Sequence, residues 1–322
     1  MKKLLKITSF VLGFGLFLFP ISVISQTLVT VPGGGNVQRP NCPVLDGGKI
    51  GPIILTDETL PFENRCVNDL KSLKVSFVEL GICTSAPNEE NPLLDMREKC
   101  VMLLTDYNSP RMVSFGLGGE PSKIKLDEVY VPPGNYTHAV FVTENKWYFK
   151  SQQRFSDLLQ GRSNAGKICY TISGATYNKF STTSLADLSV DCVEDEADIA
   201  ANGNYGWMAN ETFYLGSGDP VKTMLSGNKL FLLSSSQDLA VIDEPNRTSD
   251  AAYELGLNYM TTDLVVPEDG ELTVDFGFAM SDFGRVEFST IGPCAENSRS
   301  AGTVGCLNAL KTNDFDFRVS GR

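Results

Sequence analysis

The chain of 322 residues has one histidine, two tryptophans and no Cys-x-x-Cys knuckle. Each scarcity closes off a class of chemistry. A single imidazole, His138, rules out sites built on several histidines, and without paired thiolates a zinc ribbon has no ligands. There is no Gly-x-Ser-x-Gly nucleophile elbow, and Gly116-Leu117-Gly118-Gly119 lacks the Gly-x-Gly-x-x-Gly spacing of a phosphate-cradling loop. No amphipathic pattern at helical spacing runs for twelve residues, which argues against α/β layers. Beyond residue 25 no apolar run approaches the ~20 residues of a membrane-spanning helix. Basic residues are also short, with 27 Lys and Arg against 39 Asp and Glu, a net charge of −12. A field of that sign repels phosphate backbones, so nucleic-acid binding is not expected.

What is present begins with the N-terminus. Lys2, Lys3 and Lys6 precede an apolar stretch from Phe10 to Ile24 that Gly13, Gly15 and Pro20 interrupt. Val23 and Ser25 then stand at −3 and −1 of a cut before Gln26. These are the physical parts of a secretory signal peptide over residues 1–25, and the stretch is too short for a retained anchor. Removing it takes three lysines and no acid, leaving 297 residues with 24 basic and 39 acidic side chains, a net −15. The expected location is outside the cytoplasm: periplasm, cell surface or medium.

All eight cysteines lie in the exported part, at Cys42, Cys66, Cys83, Cys100, Cys169, Cys192, Cys294 and Cys306. An even number in an oxidising compartment implies four disulfides. The positions fall into four sequential couples, so the expected bridges are 42–66, 83–100, 169–192 and 294–306.

The rest of the chain reads as short β-type runs punctuated by Gly, Pro, Asn and Asp. Leu73, Val75 and Phe77 alternate with Lys74 and Ser76, the pattern of a half-buried strand. Short helices are expected at Leu94–Lys99 and around Ser156–Leu159. Composition shifts across Asp191 to Asn204, where acidic residues give way to Ala, Gly and Asn. The expected architecture is all-β, with two sandwich-like domains stapled by disulfides. Residues 26–41 form an arm and Gly-rich linker, 42–198 the first domain and 199–322 the second.

One motif carries a family likeness. Val131-Pro132-Pro133-Gly134-Asn135-Tyr136-Thr137, followed by Ala139-Val140-Phe141-Val142, resembles the turn-and-strand of prealbumin-like modules, similar to carboxypeptidase regulatory domains of secreted bacterial proteins. The resemblance spans roughly Leu73 to Phe149. It implies a β-sandwich used for attachment or assembly, with no catalytic residues to carry over.

Candidate chemistry is sparse. His138 lies in a strand pattern with Tyr136, Val140 and Val142, either as a general base or as a hydrogen-bonded sandwich residue. Ser-x-x-Lys occurs at Ser122–Lys125 and Ser226–Lys229, but that chemistry needs a helix start. Pro121 and a strand surround the first, and Gly227-Asn228 makes the second a hairpin turn. The acidic run Asp191–Asp198 is either a solvated loop or a calcium site, although it lacks the ligand spacing of an EF-hand loop. Two aromatic clusters, Trp147-Tyr148-Phe149 and Tyr205, Trp207, Phe213, Tyr214, offer rings for stacking a sugar, or else fill a core. Trp147 and Trp207 are therefore the candidate ligand-stacking residues.

These readings converge on an exported, non-enzymatic surface or appendage protein that acts through assembly or attachment. A carbohydrate-binding protein and a secreted glycoside-processing enzyme with paired carboxylates are the alternatives. The new N-terminus Gln26–Val31, with apolar Leu28, Val29 and Val31, has strong β propensity and hangs on Gly33-Gly34-Gly35. Such a strand pairs with its own sheet edge or with a neighbour's. Deleting residues 26–31 separates the two. In a head-to-tail assembly, light scattering then shows dissociation at an unchanged melting temperature, whereas a strand of its own domain takes monomer stability with it.

Overall fold

The computed structural model describes residues 41–55, 64–69, 71–116, 130–177, 183–211, 221–223, 229–233, 255–268, 274–279, 284–312 and 316–321. The expected signal peptide, the strand with Leu28, Val29 and Val31, and Ser122–Lys125 lie outside these residues, as do Ser226, Phe213 and Tyr214.

Strands are numbered in chain order. The first six are β1 (Val44–Leu45), β2 (Lys49–Ile50), β3 (Asn64–Asn68), β4 (Ser72–Cys83), β5 (Cys100–Thr105) and β6 (Arg111–Gly116). Then come β7 (Gly134–Glu144), β8 (Lys146–Lys150), β9 (Gln152–Gln160), β10 (Ala165–Thr171), β11 (Thr176–Tyr177), β12 (Val190–Val193) and β13 (Met208–Glu211). The last are β14 (Val221–Thr223), β15 (Lys229–Leu233), β16 (Leu255–Val266), β17 (Val274–Ala279), β18 (Gly284–Ser289), β19 (Gly305–Thr312) and β20 (Asp316–Gly321). Two α-helices, α1 (Pro92–Lys99) and α2 (Glu196–Asn202), and short 3₁₀ turns complete the regular structure of the described residues. The fold is all-β, as the short punctuated runs imply.

Two main sheets hold these strands, and β17 pairs with β20 separately. Sheet A runs β1-β2-β9-β19-β18-β3, with β10 on the other side of β9 and β12 beyond it. Sheet B runs β11-β13-β8-β4-β7-β16-β15-β14, with β5 and β6 also on β4. Both sheets mix strands from either side of the expected 198/199 boundary. In sheet A, Cys66 stands opposite Val286, and in sheet B, Val142 stands opposite Leu257. The composition shift at Asp191–Asn204 marks β12 and α2, which lie within this interleaved arrangement.

The twelve-residue β4 organises sheet B. Its first half alternates as its sequence dictates, with Leu73, Val75 and Phe77 buried between the sheets. They pack with Phe141, Trp147 and Phe149, and Ala309 of sheet A joins the same cluster. The register against β7 shifts between Phe77 and Glu79. A bulge of this kind breaks the alternation, and from Val75 onward every residue of β4 is buried. Val78 then faces a second cluster, where Leu93 and Met96 of α1 meet Val140, Val142 and Phe231. Helix α1 starts with Pro92 in its first turn, where the missing N–H costs nothing, and Lys99 closes an i,i+4 pair with Asp95 at 2.7 Å. The segment Ser156–Leu159, expected as helix, belongs to β9. Phe155 and Leu159 are both buried in the sheet A core, and tertiary burial overrides local propensity there.

The eight cysteines form the four sequential pairs, Cys42–Cys66, Cys83–Cys100, Cys169–Cys192 and Cys294–Cys306. Two are cross-strand: Cys83 stands opposite Cys100 between β4 and β5, and Cys169 opposite Cys192 between β10 and β12. Gly166 shows how tightly β10 and β12 approach. A Cβ there would lie 2.1 Å from the carbonyl of Val193, so no larger residue fits without moving backbone. The 169–192 bridge closes a separation of 23 residues, worth about 3 kcal/mol in the chain-entropy model. Replacing both cysteines by alanine should lower unfolding stability by about that amount, measured from the urea midpoint. The 83–100 bridge should still appear in non-reducing peptide maps of the variant.

Candidate ligand-binding face

Three buried carboxylates belong to the framework. Glu287 of β18 is fully buried, ion-paired with Arg285 and 3.8 Å from Lys311 Nζ. Arg65 of β3 stands opposite it in register and is also buried. From the other sheet, the Tyr177 hydroxyl of β11 donates to Glu287 Oε2 at 2.6 Å, and Lys311 Nζ lies 3.8 Å from the centre of the Tyr177 ring. Burial opposes ionisation of Glu287. Arg285, Lys311, the Tyr177 hydroxyl and Arg65 outweigh it and hold the carboxyl at about 2. Burial and the Glu287 charge together push the Tyr177 hydroxyl well above its ordinary value, so it stays a donor. Beside this group lies a small cleft bordered by Asn68, Asp69, Ser151 and Gln153, with no room for more than a water-sized occupant.

The second carboxylate, Glu79, accepts from Arg97 Nε at 3.1 Å and Nη2 at 2.8 Å, fastening α1 to the bulge of β4. Arg97 Nη2 also donates to the Tyr107 hydroxyl at 2.8 Å. The third, Asp191, accepts from the backbone amides of Ser163, Asn164 and Cys192, each at 3.0 Å. The acidic run Asp191–Asp198 is thus divided among structural tasks. Asp191 clamps a turn, Asp195 caps α2 by accepting from Ala197 N at 3.0 Å, and Glu196 pairs with Arg154. Among the described residues no group of three or more His, Cys, Asp or Glu converges as metal ligands.

His138 is half-buried, and burial lowers its pKa. Its Nδ1 lies 2.9 Å from the Thr137 hydroxyl, which donates its only hydrogen to the Thr84 carbonyl at 2.8 Å. Nδ1 must therefore carry the ring proton. The ring edge meets Tyr259 with centroids 5.9 Å apart. This chain of bonds ends on a backbone carbonyl, which fixes the ring without relaying a proton.

The two aromatic clusters of the sequence are split and recombined. Trp147 and Phe149 point into the inter-sheet core and are fully buried, and Trp147 Nε1 donates to the Glu144 carbonyl at 3.1 Å. Trp147 therefore has no face left for a ligand, because strand alternation sends it inward. Tyr148, between them, faces outward and is partly exposed. It stands opposite Lys74 of β4 on one side and Ala209 of β13 on the other. Trp207, just before β13, joins it on this outer face, with Lys74 Nζ 4.1 Å from its ring centre. Tyr205 follows, with Lys150 Nζ at 4.5 Å. Lys146, exposed, lies at the far end of β8, opposite Glu211 in register. Residue typing alone missed Lys74 and Lys150. The period-two pattern Lys146-Trp147-Tyr148-Phe149-Lys150 was the available signal, since it sends both lysines and Tyr148 to one side.

Comparison with protein-family models, curated proteins and solved structures returned no match.

Glu287 supplies the sharpest test of the framework. Its folded pKa lies below the ordinary glutamate value of 4.5, so its stabilisation is complete above that value and is lost as pH falls toward 2. Glu287→Gln removes the charge and strands the buried cations, which should cost about 3–5 kcal/mol. Urea titrations at pH 7 and pH 3 should show a smaller acid loss in the variant than in the natural protein.

Proposed function

We propose that the chain is an exported, non-enzymatic surface protein that acts by attachment, and that the outer face of β4, β8 and β13 is where it attaches. The observation that carries this reading is the gathering of Trp207, Tyr205 and Tyr148 on one partly exposed sheet face, each beside a lysine in space or sequence. Aromatic rings of this kind present flat apolar area with little entropy to lose on binding. Export is supported by four disulfides, the chemistry of an oxidising compartment. It is supported also by the basic and apolar parts of residues 1–25. No helix among the described residues is long and apolar enough to cross a membrane. In the turn at Pro132–Gly134 the Tyr136 hydroxyl donates to the Pro132 carbonyl at 2.8 Å.

A binding role also fits the fate of the buried acids. A carboxylate-based glycosidase needs two carboxyl groups about 5–9 Å apart and facing the substrate, whereas Glu79, Glu287 and Asp191 are each spent on internal partners. The test is retention of the purified protein on insoluble polysaccharides and envelope fragments, with reducing ends assayed in the same tubes. Retention without new reducing ends is expected. Trp207→Ala should weaken it about tenfold, a loss of about 1.4 kcal/mol, while Trp147→Phe leaves it unchanged. Sugar release, or retention indifferent to Trp207, would overturn the reading.

A further inference from the structure

We infer that the outer face of β4, β8 and β13 is a binding site for an acidic polysaccharide, one whose sugars carry carboxylates. The inference rests on the attachment reading and names its ligand class.

The charge of the face sets it apart from the chain. The whole protein carries 39 acidic and 27 basic residues. Yet this patch holds Lys74 and Lys150 on the Trp207 and Tyr205 rings, with exposed Lys146 further along β8 opposite Glu211. Several of its other strand positions are small: Ser72 stands opposite Lys150, Ser114 opposite Lys74 and Ala209 opposite Tyr148, while exposed Met112 and the register position of Glu211 lie toward its margins. An extended chain of sugar rings can run along such a face.

Two features select the ligand. Aromatic faces stack on the C–H faces of pyranose rings, and the lysine ammonium groups attract anions. Lys74 Nζ lies over the Trp207 ring and Lys150 Nζ over the Tyr205 ring, so cation–π attraction holds each ammonium group on one face of a ring. A sugar that takes the place of the ammonium group over Trp207 or Tyr205 brings its carboxylate within reach of the displaced Lys74 or Lys150. Tyr148 lies two residues from Lys150 and across the strand pair from Lys74. At ~3.3 Å per residue along a strand and ~4.8 Å between strands, the two cations therefore flank it at sugar-scale spacing. A uronic acid polymer supplies both parts in every unit. Nucleic acid also stacks and carries negative charge, and the net −12 of the chain opposes any polyanion, so single-stranded DNA is the competing ligand in the test.

The experiment uses an oligogalacturonate octamer and its fully methyl-esterified form, which keeps the sugar rings and removes the charge. Binding to the exported protein is read by calorimetry and by Trp207 fluorescence. Trp147, the other tryptophan, is buried. The free-acid octamer should bind about tenfold more tightly than the ester. It should weaken as salt rises from about 50 to 300 mM and protect Trp207 from a soluble quencher. Lys74→Gln with Lys150→Gln should erase the preference for the acid form while leaving the disulfide map and melting temperature in place. Equal binding of acid and ester would overturn the acidic-ligand inference and leave attachment through neutral sugars standing. Binding of single-stranded DNA as tight as the octamer would overturn it in favour of a general anion surface. No binding of either octamer overturns it as well, and retention on the insoluble polysaccharides then decides separately whether the attachment reading survives.

Discussion

The hydrogen bond from Tyr177 to Glu287 is the contact on which the arrangement of the two sheets turns. It is 2.6 Å long, fully buried, and its two ends belong to different sheets. Apolar packing between sheets is tolerant of sliding, because one methyl group replaces another at little cost. A buried charge is not tolerant. Glu287 must keep Arg285, Lys311 and Arg65 around it and Tyr177 above it, or lie desolvated without compensation. The network adds little net stability over a well-packed apolar core. It does forbid other placements of β11 against β18, and so fixes where the β8–β13 corner of sheet B sits.

The same kind of residue is used in opposite ways inside and outside. Buried Arg65 and Lys311 and partly buried Arg285 are cations gathered around one carboxylate. Lys74 and Lys150 are held against rings at the edge of solvent, where the aromatic quadrupole balances part of the charge and the ammonium keeps hydrogen-bonding capacity. The charge of the first group is balanced inside the fold. The second is only partly satisfied, which is the condition under which a side chain gains by meeting a ligand.

How far the sequence led depends on the distance over which each feature is specified. The disulfides were legible because each pair closes 12 to 24 residues. The opening of β4 was legible because Leu73, Val75 and Phe77 alternate without interruption. The bulge after Phe77 was not, since nothing local marks where a strand will slip against a partner as distant as Thr143. Nothing local in the sequence marks Glu79 and Glu287 as buried ion partners, because that role depends on Arg97 and Tyr177 arriving from other elements. The two tryptophans looked alike in sequence. Parity along a strand made Trp147 core and left Trp207 at the surface, and the lysines that complete the outer face came from strands that sequence reading had not paired.

The chain order of sheet A has a consequence in time. Strands β3 and β9 lie in the first half of the molecule, but they flank β18 and β19, which arrive more than a hundred residues later. A chain made from its N-terminus therefore carries an open half-sheet until residues 284–312 are complete. The short disulfide loops at 42–66, 83–100 and 169–192 are able to close before that moment, because none needs the C-terminal strands. Covalent staples come first and the non-local pairing last, the slow step for a topology of such high contact order. Loss of the final forty residues would thus leave correctly paired cysteines on a molecule whose sheet A has lost its centre.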